Sequence, residues 1–463
     1  VVNGTVNVSS ANAEFSSSCS TSTCVNRLTF GPFAVYNHQR NGGVIPSANY
    51  DTTATINISN VTSVAPVLNA VQAQNARLGN LVINCPDATV SPVNGFSGKS
   101  FSNVQVVNAG TGTLNLPNSK IFGDLIIDKG KLELGSSTIY GDFRLNNGQV
   151  HFGTGHVYGD AILDTGKVSA AVGLNVYRDF ITTQNDTFQG CLKVMGNLHQ
   201  QINIGGPFLQ FGTGDVLVLD NPAGATLTGE LPNNGGTVII KRGKWSGPGK
   251  VNHSGMAKLI YDGSGPFYTS TVEWPVTSRP FLVEFKATGP APYNRVYLQA
   301  HHTASNASLV NGIIVLGDYD LKATFDMNFA SQLNASSFVA TNGLGTLTMP
   351  FGNGTTGRTF PIGTIDGREE STPVAVNIEN NTTLRDISIR VTAGQHPEDS
   401  SATNYIARHW HIYDSEAGAP MNYSCWFGYR PADKHGSGNI KIQGLKNTAW
   451  TTYNSIDDGN TIS

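Results

Sequence analysis

Two side-chain types recur at one spacing between residues 122 and 215, and each brings its own chemistry. Aromatic rings stand at Phe122, Tyr140, Tyr158 and Tyr177, and a carboxylate follows each two positions later, at Asp124, Asp142, Asp160 and Asp179. Glycine separates ring from acid in the first three copies and arginine in the fourth. Looser copies read Met195-Gly196-Asn197 and Thr213-Gly214-Asp215, so the central positions step by 18, 18, 19, 18 and 18 residues.

A ring in every coil admits two readings. Rings stacked by successive coils stabilise one another by about 0.5–1.5 kcal/mol per pair, and this ladder is the favoured reading. The other is a flat platform for sugar rings, carried by Phe122, Tyr140, Tyr158 and Tyr177. Carboxylates one coil apart repel by roughly 1 kcal/mol in water and more when desolvated. They must splay into solvent, accept hydrogen bonds from hydroxyl or backbone donors, or share a cation such as calcium. Solvated turn carboxylates are expected, because the Asp-rich nonapeptide of calcium-loaded β-rolls is missing. Structural calcium is the lesser alternative, and no other cofactor is called for.

Columns of this kind need a chain that returns every 18 residues. After the Gly-Asp pairs come apolar residues at period two: Leu125 and Ile127, Phe143 and Leu145, Ala161 and Leu163. A turn at Lys129-Gly130, Asn147-Gly148 or Thr165-Gly166 leads to a second alternating strand. It turns Leu132/Leu134, Val150/Phe152 or Val168/Ala170 inward and Glu133, His151 or Ser169 outward. Ile121, Ile139, Val157 and Val176 form a third short strand just before the aromatic position. One coil cannot bury these residues alone, whereas stacking coils at roughly 4.8 Å makes a continuous core. The pattern predicts an all-β fold, a parallel β-helix solenoid that is right-handed by the usual crossover preference.

Degenerate copies extend the solenoid on both sides, for example at Leu78-Gly79-Asn80-Leu81 and Gly236-Thr237-Val238-Ile239. The expected layout is an N-terminal cap over residues 1–50, a parallel β-helix over 51–357 and a C-terminal antiparallel β-sandwich-like domain over 358–463. The last boundary falls where the period stops and charge rises, at Arg368-Glu369-Glu370. Within the cap, Cys19 and Cys24 would close a small disulfide loop in an oxidising compartment. Cys85, Cys191 and Cys425 read as small buried apolar residues.

A third outward column holds Ile126, Arg144, Ile162, Ile181, His199 and Leu217. Contiguous exposed apolar surface marks contact with something. Ile126, Ile162, Ile181 and Leu217 are therefore the assembly candidates, facing a second copy, the C-terminal domain or a loop.

Catalytic patterns are few. The adjacent acids Glu369-Glu370, Glu398-Asp399 and Asp457-Asp458 lie outside the repeats, and no Gly-x-Ser-x-Gly, His-Glu-x-x-His or phosphate loop occurs. His409 and His411 share one strand face, with His396 or His435 as the third imidazole of a metal trio, yet no Cys or acid stands at a fitting offset. No metal site and no catalytic residue are assigned. A polysaccharide lyase or hydrolase is the minority reading.

Composition narrows the partners. Lys+Arg 29 against Asp+Glu 32 leaves a net charge of −3, which suits neither nucleic acid nor an anionic membrane surface. No apolar run approaches the roughly 18 residues of a membrane helix. A start at Val1 is expected of a processed chain. Sequons such as those at Asn57, Asn306 and Asn422 follow from the abundance of Asn, Ser and Thr and say little about glycosylation.

The C-terminal part adds a resemblance. Phe360-Pro361-Ile362-Gly363-Thr364 is followed by Thr372-Pro373-Val374-Ala375-Val376, Ile389-Arg390-Val391-Thr392, Arg408-His409-Trp410-His411-Ile412 and Trp426-Phe427-Gly428-Tyr429 with Ala432-Asp433. This succession resembles the end of large β-helical, adhesin-like surface proteins exported by the type IX secretion system of Bacteroidota. It covers about residues 305–463, with a looser likeness over the repeats. The resemblance implies an extracellular, cell-surface location, a structural role for Arg408 and Trp410, and a sorting domain removed after export. The expected function is a structural or adhesive surface protein, self-assembling into a filament or layer through its solenoid ends or the apolar stripe. Its partners would be other copies of itself or surface glycans. The alternative is a polysaccharide-binding or polysaccharide-degrading β-helix protein.

Overall fold

The structure, a computed structural model, describes all residues except 11–27, 70–76, 184–185, 206–210, 330–335, 400–402, 417–421, 438–439, 447–448, 454, 458, 460 and 463. The predicted Cys19–Cys24 disulfide lies outside the described residues. Strand accounts for 56% of the chain and helix for 1%, and the strands wind into a parallel β-solenoid of about 15 turns followed by antiparallel sheets. No described helix is long and apolar enough to cross a membrane. Two compact units are distinguished, Val1–Thr237 with Trp245–Lys250, and Val238–Lys244 with Val251–Ser463.

In the first unit the 18-residue coil is three short strands. One coil runs Leu125–Ile127, Lys131–Gly135 and Thr138–Ile139, and the next lies in the continuous strand Phe143–Val157. Leu125 pairs with Phe143, Leu132 with Val150 and Ile139 with Val157, all parallel and 18 residues apart. The inward residues Leu125, Ile127, Leu134, Ile139, Phe143, Leu145, Phe152 and Val157 are fully buried. Each such side chain contributes about 1.5–3 kcal/mol by leaving water, which is why period two here means core rather than chance.

Parallel pairing already begins at Thr5–Val8, which joins Val35–His38, inside the stretch read as a cap. Those first coils carry an amide ladder of their own: the Asn57 side chain donates to Asn37 at 3.0 Å, and Asn37 to Asn7 at 2.7 Å. Downstream the coil lengthens. Ala161 pairs with Phe180, Phe180 with Ile202 and Ile202 with Leu227. Cys85 is buried, as expected of a small apolar filler, whereas Cys191 and, in the second unit, Cys425 are only half-buried.

In the second unit, Lys258–Gly263 pairs parallel with Leu282–Ala287, and Phe267–Tyr268, Arg295–Tyr297, Ile313–Val315, Phe338–Ala340 and Ile362–Thr364 form another parallel wall. That wall passes residue 357, so solenoid pairing and the C-terminal sheets overlap. Leu347–Phe351 then pairs antiparallel with Arg385–Ala393, which pairs with Arg408–Asp414. A second antiparallel sheet joins Gly354–Phe360, Val374–Asn381 and Asn422–Gly428. The two sheets meet through Phe351 against Phe360 and Trp410 against Phe427, with ring centroids 6.4 and 5.0 Å apart. Antiparallel strands laid on Leu347–Phe351 close an edge that would otherwise offer free backbone groups.

This unit also buries a carboxyl. Glu273 is 1% exposed and accepts from the Ser270 backbone N–H at 2.6 Å and the Tyr261 hydroxyl at 3.0 Å. Burial pushes it up to about 7 from the usual 4.5 despite those bonds. The folded state thus prefers the neutral acid, so its contribution to stability falls as pH rises from 4.5 to 7. Burial lowers His253 and His302 to about 4, and their contribution rises from pH 4 to 6.5. Glu273→Gln keeps the shape of the neutral acid. It is expected to gain on the wild type by on the order of a few kcal/mol between about pH 5 and 8, read from urea midpoints. Parallel pH profiles for the two proteins would contradict the assignment.

Candidate functional site

The aromatic column forms in the first unit. Ring centroids lie 5.2 Å apart for Phe122–Tyr140, 5.4 Å for Tyr140–Tyr158 and 4.4 Å for Tyr158–Tyr177, with planes within 10° of parallel. Ile121, Ile139, Val157 and Val176 just before them are fully buried, which turns the rings outward. Phe122, Tyr140 and Tyr158 are 42%, 44% and 43% exposed, while Tyr177 is half-buried beside His156. The Arg77 guanidinium lies 4.6 Å from the Phe122 centroid and continues the stack upstream. Because the rings stack on one another, their faces are taken up within the ladder. Solvent meets a row of ring edges and hydroxyls one coil apart, the ladder favoured from sequence rather than the alternative of a flat platform.

Glycine and aspartate in each triplet have separate tasks. A Cβ on Gly141 would come within 2.6 Å of the Gly123 carbonyl carbon and oxygen and nearer still to Asp124 Oδ1, so coils approach too closely here for any side chain. Each carboxylate accepts from the backbone of the next coil: the N–H of Asp142 donates to Asp124 Oδ1 at 2.8 Å, Asp160 to Asp142 at 2.8 Å, and Asp179 to Asp160 at 3.2 Å. Asn103 starts the series by accepting from the Asp124 N–H at 2.9 Å, and the Gln201 N–H ends it on Asp179 at 2.7 Å. Backbone donors thus relieve the like-charge column. Asn197 and Asp215 stand outside this series. Among the described residues no group of three or more His, Cys, Asp or Glu is placed to hold a metal ion.

The apolar stripe is shorter than expected. Ile126 pairs with Arg144, Arg144 with Ile162 and Ile162 with Ile181, and the three isoleucines are half-buried in one column. The next member is Asn203, not His199. His199 sits in a widened turn, 2.8 Å from the Thr226 hydroxyl. Leu217 is 1% exposed and pairs with Leu192 in a different wall, so it belongs to the core and leaves the stripe. Thr213-Gly214-Asp215 matched the period by coincidence: Asp220, paired with Met195, occupies the position that the triplet aromatics hold.

A second outward face, not singled out from sequence as a site, carries a groove of about 230 Å³. One column across it runs Thr113, Lys131, Gln149, Lys167, Thr187, and its neighbour runs Asn115, Glu133, His151, Ser169, Gln189. His151 Nδ1 is 2.8 Å from the Ser169 hydroxyl. The outward alternation of Glu133, His151 and Ser169 was the only sequence signal for it.

In the second unit the rings of His396 and His409 lie 5.0 Å apart and those of His409 and His411 5.1 Å, while His435 stacks on Tyr405 instead. Burial first, then the Arg390 charge, lowers His411 to about 4. Adjacent acids are engaged in ion pairs: Glu369 with Arg295, and Glu370 with the buried Arg408. Arg408 Nε also meets Asp433 at 2.8 Å and its Nη1 donates to the Thr364 hydroxyl at 2.8 Å. No protein-family model, curated protein or solved structure matches the chain.

Proposed function

We propose that this chain is an extracellular adhesive or structural solenoid whose task is to present a repeated surface to a repeating partner, a surface glycan. The observation that carries the reading is in-register repetition of exposed chemistry: the ring edges of Phe122, Tyr140, Tyr158 and Tyr177 recur once per coil. One coil advances by roughly 5 Å, close to the advance of one sugar residue along an extended polysaccharide, so a single weak contact is multiplied along the column. The succession of C-terminal strands that resembles exported β-helical surface proteins supports a cell-surface location. Self-assembly is the secondary reading and now rests on Ile126, Ile162 and Ile181, interrupted by the exposed Arg144.

The test is a variant that keeps the stack and removes its polar edge. Tyr140→Phe/Tyr158→Phe is expected to leave the thermal midpoint unchanged and to weaken retention in polysaccharide gels several-fold. Unchanged retention would remove the ladder as the contact face.

A further inference from the structure

We infer that the groove on the second face is a binding site for an acidic polysaccharide, with Lys131 and Lys167 as its charge contacts; this rests on the glycan-binding reading and names the ligand class. Both lysines are exposed, and neither ammonium group has a hydrogen-bond or ion-pair partner among the described residues. They occupy one column two coils apart, with Gln149 between them, which sets the ammonium-bearing positions about 10 Å apart. A polymer with one sugar per coil would bring every second carboxylate to a lysine, while Gln149 offers an amide to the residue between.

The neighbouring column supplies the other side. His151, held against the Ser169 hydroxyl, and Gln189 offer hydrogen bonds to sugar hydroxyls. Glu133 is the one acid lining the groove, so the lysines leave it net positive on a chain whose overall charge is −3. Leu132 and Val150 form the floor and are themselves buried, while the side chains that rise around it are all polar or charged. That favours a hydrated, charged polymer over an apolar ligand.

The experiment uses the full chain and two probes, polygalacturonate and a neutral β-glucan, in affinity electrophoresis at two salt concentrations. Wild type is expected to be retained by polygalacturonate, and Lys131→Gln/Lys167→Gln to lose at least tenfold in affinity together with most of its salt dependence. Circular dichroism and the thermal midpoint should not move, since both side chains are solvent-exposed. Equal retention of the lysine variant, or no retention of wild type by polygalacturonate, overturns the groove assignment. If wild type still binds the neutral glucan in that case, the adhesive reading stands without the groove; if it binds neither, both fall.

Discussion

Arg408→Met is expected to destabilise the second unit by about 3–5 kcal/mol, the cost of leaving buried charge without its partner. Arg408 is 7% exposed, and its guanidinium is shared by Glu370 and Asp433, themselves 3% and 7% exposed. Methionine keeps the bulk of the side chain, so the loss comes from two buried carboxylates left, among the described residues, with only Arg430, at 3.6 Å from Glu370 and donating its backbone N–H to Asp433 at 3.0 Å. The result should be read from urea unfolding followed by the fluorescence of Trp410, which packs near Phe427. Adding Glu370→Gln and Asp433→Asn to the same chain should recover much of the stability, because neutral amides tolerate burial better than unpaired anions. A loss below about 1 kcal/mol for Arg408→Met would place the cluster in solvent instead.

Gly141→Ala is expected to cost about 1–3 kcal/mol through overpacking. The added carbon meets the Gly123 carbonyl, which cannot retreat without opening the coil stack. Asp142→Asn is the companion variant and should be close to neutral. Asn103 already shows that an amide oxygen can accept the cross-coil N–H at this position. Asp142→Ala should lose about 1 kcal/mol, since the Asp160 N–H then loses its acceptor. An unchanged urea midpoint for Gly141→Ala would contradict the close approach of the two coils at Gly123 and Gly141.

The repeated triplet was legible in sequence because all three of its members act on the coil next door. The ring stacks, glycine permits the approach, and the acid takes a backbone hydrogen from the neighbouring turn. Leu217 was misread for the opposite reason. Beyond Tyr177 the coil offsets lengthen, so a fixed 18-residue step no longer returns to the same wall, and a period alone cannot reveal the slip. The groove escaped notice because Thr113, Lys131, Gln149, Lys167 and Thr187 share a position but not a residue type. The Arg408 cluster joins residues 25, 38 and 44 positions apart, a pairing that only the folded antiparallel sheets bring about. Motif order around Arg408 marked it as structural without indicating its partners.

Binding of the unmodified chain to an array of extended polysaccharides decides whether the solenoid presents a repeated surface to a repeating glycan. Selective retention that strengthens with polymer length is expected, as contacts repeated once per coil require. Retention of none of the polymers, or equal binding to monosaccharides and long chains, would contradict it.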